Sequence, residues 1–247
     1  MPCETRVDLT ADAYRHVPGL RGRLTPAEES GVRLTPEVLA TWDARARALG
    51  RPADWRWSDD ERERNRREIL GHPLPQRDIW VYSYGSLMWD PGLHFAEVRL
   101  ADLHGYQRRF TFKTSLGRGC PEHPALMLSL EAQGDCSCRG LVFRIAADMA
   151  DAESQILWRR EMIRGSYCPR LLPVDTPQGP VTAVVFTSNP CHGDYVGELP
   201  LPQTAAMIAK ASGMLGSNRH YVEQLAEQLR CLQIEDGYID QLVRQLP

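Results

Sequence analysis

The 247-residue sequence predicts an α+β fold, with a mixed, largely antiparallel, barrel-like sheet, flanking helices and a helical N-terminal extension. Three observations predict it. Residues 1–77 are dense in charges of both signs, lack strand-like alternation and are punctuated by Pro18, Pro26, Pro36, Pro52, Pro73 and Pro75. From Asp78 short β-type runs take over, with few long crossovers between them. Helical periodicity then returns at the C-terminus.

In the extension, Thr35-Pro36-Glu37 marks a helix start, with Thr as N-cap and Pro at the first helical position, leading into residues 38–49. Ser58-Asp59-Asp60-Glu61 marks a second, its acids suiting the positive end of the helix dipole. The β-type runs are 79–84, 98–103, 108–115, 126–131, 139–145, 170–175 and 181–188, and residues 151–165 interrupt them with helical character. Closing helices are expected within 204–212, 218–232 and 236–246. The expected division is a helical extension over 1–77 and a second domain over 78–247, so a chain starting near Pro75 is expected to fold.

Composition narrows the function. A net charge of −3, with no basic stripe interleaved with aromatics, gives no support for nucleic-acid binding. No run approaches the roughly 18 apolar residues that cross a bilayer, and the N-terminus lacks a signal peptide's apolar stretch, so the expected location is the cytoplasm. Seven scattered cysteines, at 3, 120, 136, 138, 168, 191 and 231, form no disulfide framework and suit a reducing compartment. Cys136-Ser137-Cys138 lacks the partner ligands of a zinc site, and no phosphate-binding glycine loop is present, so no metal or cofactor is expected.

The first strand runs into Tyr84-Gly85-Ser86-Leu87-Met88-Trp89 and then the turn signal Asp90-Pro91-Gly92. A glycine just past a strand lets backbone approach a ligand, and successive N–H groups of such a turn can cradle a carboxylate or an oxyanion. Alone, this pattern also fits an ordinary strand-to-turn junction. Four further segments accompany it, in order: residues 105–131, 136–145, 157–174 and 212–225. Together the five blocks, covering about residues 78–245, resemble the ChaC-like glutathione-specific γ-glutamylcyclotransferases.

The resemblance implies that fold, a cofactor-free reaction and a small-molecule substrate, glutathione. It implies a γ-glutamyl-binding loop of Ser83, Tyr84, Gly85, Ser86, Leu87 and Met88, and an acid/base at Glu161, in Arg160-Glu161 before Gly165-Ser166-Tyr167. Tyr167 is a candidate hydroxyl donor to substrate and reads equally well as a half-buried aromatic after a turn. Arg118 is a candidate partner for a substrate carboxylate, or a surface ion pair. Two positions depart from the family pattern, with Ser83 and Ala125 standing where glycine is usual. The sequence leaves the oligomeric state open.

The chemistry suits these residue types. In cyclotransfer the substrate's own α-amine attacks its γ-carbonyl, closes a five-membered ring and expels the remaining amine. An α-amine with a pKa of about 8 must lose a proton and the leaving amine must gain one, tasks that a single carboxylate performs in turn. Such a carboxylate works best when burial lifts its pKa from about 4.3 toward 7. Leu157 and Trp158, on the same helix face as Glu161, supply apolar neighbours. Three other readings compete: a cyclotransferase for other γ-glutamyl-amino acids or amines, a non-catalytic γ-glutamyl-binding module, and a Ser or Cys hydrolase. The last is disfavoured because G-x-S-x-G is absent, Met88 holding its final position.

Overall fold

The computed structural model describes residues 13–74 and 76–246. Cys3, Pro75 and part of the expected extension therefore lie outside the described residues. Helices α1 (Pro36–Ala48) and α2 (Asp59–Leu70) begin where the sequence marks them. The Thr35 side chain accepts from the Val38 amide, and Ser58 and Glu61 close a capping box in which Glu61 accepts from the Ser58 amide at 2.7 Å.

Strands β1 (Ile79–Ser83), β2 (Glu97–Thr114), β3 (Ala125–Ile145), β4 (Tyr167–Val174) and β5 (Val181–Ser188) form one mixed sheet in the order β2-β3-β1-β5-β4. Only β1 and β5 pair in parallel; the other described pairings in this sheet are antiparallel. The outer strands meet at one bridge, where Asp102 and Asp175 exchange amide-to-carbonyl bonds of 2.8 and 3.0 Å. The sheet curls until its edges touch at that point, so the barrel description holds only loosely.

Four expected strands are two. Runs 98–103 and 108–115 belong to β2, and 126–131 and 139–145 belong to β3. The polar interruptions that read as turns are irregularities within one ladder: Gly105 takes φ 80°, and residues 133–136 loop out between the pairs Tyr106↔Ala132 and His104↔Ser137. Helix α3 (Ala150–Glu161) ends sooner than the expected 165. The Trp57 amide takes the Ile163 carbonyl at 2.9 Å, and Gly165 adopts φ 73°, which turns the chain out of helix.

Helices α4 (Leu201–Lys210), α5 (Asn218–Cys231) and α6 (Gly237–Gln245) close the chain, with a short hairpin, β6 (Ser212–Gly213) and β7 (Gly216–Ser217), between α4 and α5. Alternation along β1 sends Val81 and Tyr82 into different apolar clusters. Tyr82 packs in the cluster that holds Ile208, Leu225 and Leu242 of α4–α6, and Val81 in the one that holds Leu157 and Trp158 of α3. The extension is not detached from this core. Val17, Leu20 and Leu24 are buried in the first cluster and Leu70 in the second. Polar ties accompany them: Arg33 pairs with the buried Glu153 at 2.7 and 2.8 Å, and Trp158 donates its indole N–H to Asn65 at 2.9 Å.

Candidate active site

Beyond Ser83 the chain makes a tight turn in which Met88 donates to the Gly85 carbonyl at 2.8 Å and Asp90 to the Ser86 carbonyl at 2.9 Å. Side chains from distant elements hold it. Arg108 on β2, almost fully buried, donates to the Tyr84 carbonyl at 2.7 Å and pairs with Asp236, the N-cap of α6, at 3.0 Å. Gln228 on α5 donates to the Met88 carbonyl at 2.7 Å. Arg160 on α3 donates to the Asp90 carbonyl at 2.7 Å and to Ser86 Oγ at 2.9 Å. Gly85 itself is required by space, since a Cβ there would stand 2.8 Å from the Tyr221 hydroxyl.

A cavity of about 240 Å³ opens beside this turn, lined by Ser86, Trp89 and Asp90, by the ends of β2 and β3, by Arg160, Glu161 and Tyr167, and by Asn218 and Tyr221 of α5. Glu161 is the last residue of α3, and 15% of its side chain is exposed. Burial pushes its carboxyl above the usual glutamate range, and Arg160, whose Nε lies 3.2 Å from Oε1, opposes part of that rise. Its place at a helix C-terminus, where orphan carbonyls carry partial negative charge, disfavours the ionised form further.

Three tyrosines gather around it. Burial raises the hydroxyls of Tyr84 and Tyr167 well above their ordinary value and that of Tyr221 to about 12, and the Glu161 carboxylate adds to each rise. Tyr167 donates to the Leu128 carbonyl at 2.9 Å and Tyr84 to the Phe186 carbonyl at 3.1 Å, while the Ser86 backbone near the Tyr221 hydroxyl opposes part of its rise.

The sequence-nominated residues therefore separate. Ser86, Glu161 and Tyr167 line one cavity, and Gly85 lies close against the lining residue Tyr221. Leu87 and Met88 are buried in the two apolar clusters. Tyr84 is buried with its hydroxyl directed at Phe186, and Ser83 is fully buried at the end of β1, its hydroxyl without a partner. Arg118 lines the cavity, donating to the Ser217 carbonyl at 3.1 Å and lying over the Tyr221 ring at 5.3 Å. Arg164, three residues after Glu161, pairs with Asp194 at 3.0 Å.

Sequence reasoning missed Arg108, which supports the loop, and five lining residues: Arg160, Tyr221 and the extension's Val32, Leu34 and Trp42. Adjacency to Glu161 was the available signal for Arg160, and the block 212–225 contained Tyr221. The six described cysteines are free thiols, none of them among the lining residues. Among the described residues no helix is long and apolar enough to cross a membrane.

Comparison with known proteins places this geometry in context. The family described as ChaC-like protein matches residues 79–246. A glutathione-specific γ-glutamylcyclotransferase of Escherichia coli is 34% identical over 188 residues, 76% of this chain and 80% of that protein. Glutathione-specific γ-glutamylcyclotransferase 1 of Danio rerio is 30% identical over 166 residues, 65% of this chain and 85% of that protein. In fold, the chain is similar to a crystal structure of a glutathione-specific γ-glutamyl cyclotransferase from yeast, with a TM-score of 0.63 and 22% identity over 69% of this chain and 96% of the other. The extent of the family match, together with the identity to its bacterial relative, means that the chain belongs to the ChaC-like protein family.

Proposed function

We propose that this chain is a γ-glutamylcyclotransferase that cleaves glutathione to 5-oxoproline and cysteinylglycine, with Glu161 as general base and then general acid. The observation that carries this reading is the Glu161 carboxylate, lifted in pKa by burial and set into a cavity beside a clamped strand-to-turn loop. The names borne by the relatives supply the substrate.

The reaction needs three things of the protein. The γ-glutamyl unit must be folded so that its amine meets its own carbonyl, and such positioning is worth roughly 7–11 kcal/mol in well-oriented intramolecular reactions. The loop does this. Its Gly85 and Leu87 amides are not used by the turn's own hydrogen bonds and are the donors for a carboxylate or for the oxyanion of the tetrahedral intermediate. Glu161 takes a proton from the α-ammonium, the freed amine attacks, the carboxylic acid returns that proton to the cysteinyl nitrogen as the C–N bond breaks, and the ring nitrogen's remaining extra proton passes to the departing amine, which leaves as an ammonium. Arg160 keeps Glu161 ionised enough to begin and fixes Ser86, coupling the base to the loop. Tyr221, standing over Gly85, presents its hydroxyl to the same space.

Purified protein incubated with glutathione is expected to release 5-oxoproline and cysteinylglycine in equal amounts. Glutamate in place of 5-oxoproline would indicate hydrolysis, and release of neither would remove the reading.

A further inference from the structure

The cavity is not walled by the family-matched residues alone. Its lining includes Val32, Leu34 and Trp42, all N-terminal to residue 79, where the family match begins. The segment carrying them is fastened at three places on the cavity's border. Arg33 donates to the Gly92 carbonyl at 2.8 Å while paired with Glu153, close to the lining residue Asp90. Arg51, just past α1, donates to the Ser115 carbonyl at 2.8 Å, next to the lining residues Thr114 and Leu116. The Trp57 amide donates to the carbonyl of the lining residue Ile163 at 2.9 Å, and the Trp57 ring fills the space where Gly165 has no side chain. Helix α1, with Trp42 midway along it, thus spans from the loop side of the cavity to the β2 end.

We propose that Trp42, supported by Val32 and Leu34, is a specificity-determining residue contacting the side chain of the substrate residue that leaves with the amine. The inference rests on the cyclotransferase reading above. The γ-glutamyl unit carries a carboxylate, which would be costly to bury against an indole and two aliphatic side chains without polar partners, and an ammonium, whose proton acceptor is the Glu161 carboxylate in the same cavity. It belongs by Ser86, Arg160 and Glu161. The wall is left for the rest of the substrate, where the cysteinyl CH₂–SH is the group that gains from apolar contact. The chain accordingly selects γ-glutamyl peptides whose second residue bears a thiol-sized or larger apolar side chain over those with glycine there.

The test compares wild type, Trp42→Phe and Trp42→Ala. It measures kcat and KM for glutathione, and the inhibition constant of γ-glutamylglycine against it. Loss of a contact with one or two heavy atoms in an apolar pocket is expected to lower kcat/KM for glutathione about tenfold in Trp42→Ala, chiefly through KM. Trp42→Phe should fall between, while the inhibition constant of γ-glutamylglycine, which offers the wall no side chain, should stay within about twofold in both variants. Equal weakening of both ligands, or a fall confined to kcat, would make Trp42 a structural residue only and overturn the proposal. Unchanged glutathione kinetics in Trp42→Ala would overturn it also. Failure of the function itself looks different: wild type would then yield no 5-oxoproline.

Discussion

Glu161 combines two properties that seldom coincide in a surface helix: it closes α3, where the dipole opposes a negative charge, and it is buried in a cavity wall. Both push its pKa upward, and a base must be ionised to act. The acid limb of kcat/KM is therefore expected to fall through an apparent pKa above about 4.3, the ordinary glutamate value. A limb at or below that value would contradict the burial argument. The same shift bears on stability. A carboxyl whose folded pKa exceeds its unfolded one favours the fold most below the unfolded value, and that contribution is lost as pH rises through the folded value. Glu161→Gln, which has no charge to bury, is thus expected to melt at or above wild type at neutral pH, with the advantage gone below about pH 4. Gly85→Ala tests the close approach at the loop. Its added methyl would meet the Tyr221 hydroxyl at 2.8 Å, so the ring must move, and a loss of about tenfold in kcat/KM with an intact fold is expected from misplacement of the site.

At the scale of elements, the loop after β1 is held by groups far away in sequence. Arg108 lies 24 positions from the carbonyl it supports and Gln228 lies 140 from its own, so no local pattern could have nominated either. Arg108→Met would leave Asp236 without its partner and the Tyr84 carbonyl without its donor. Denaturant unfolding is expected to show a loss of about 3 kcal/mol, the scale for removing one member of a buried ion pair. A change under about 0.5 kcal/mol, the size of a typical surface substitution, would show that the clamp is not structural. Local signals did reveal what is local: the caps at Thr35 and Ser58, and the junction of β1 with a Gly-containing turn. They failed where tertiary pairing overrides local pattern. Gly105 and residues 133–136 resemble turns, yet each sits inside a long strand whose partner continues past it. Leu87 and Met88 share a motif with Ser86 but are apolar, and in a one-turn helix they face the core and not the cavity.

Over the whole molecule, the division into an extension and a second domain, drawn from a change in sequence texture near residue 78, does not coincide with a division of the packing. Val17, Leu20 and Leu24 lie in the same apolar cluster as α4–α6, and burying each such side chain is worth about 1.5–3 kcal/mol. A chain starting at residue 76 is therefore expected to expose this surface and to melt lower than the full-length protein, or to aggregate; an unchanged melting temperature would show that the extension is a passive cover. The proposed mechanism turns on whether Glu161 moves the protons. The most direct measurement is kcat of Glu161→Gln for 5-oxoproline formation from glutathione, with folding verified by its melting transition. The variant keeps side-chain size and hydrogen-bonding capacity while losing the proton acceptor. A fall of about 10³-fold or more is the expected result, with glutathione still bound by the loop. A correctly folded variant that kept more than about a tenth of wild-type kcat would contradict the mechanism at its centre.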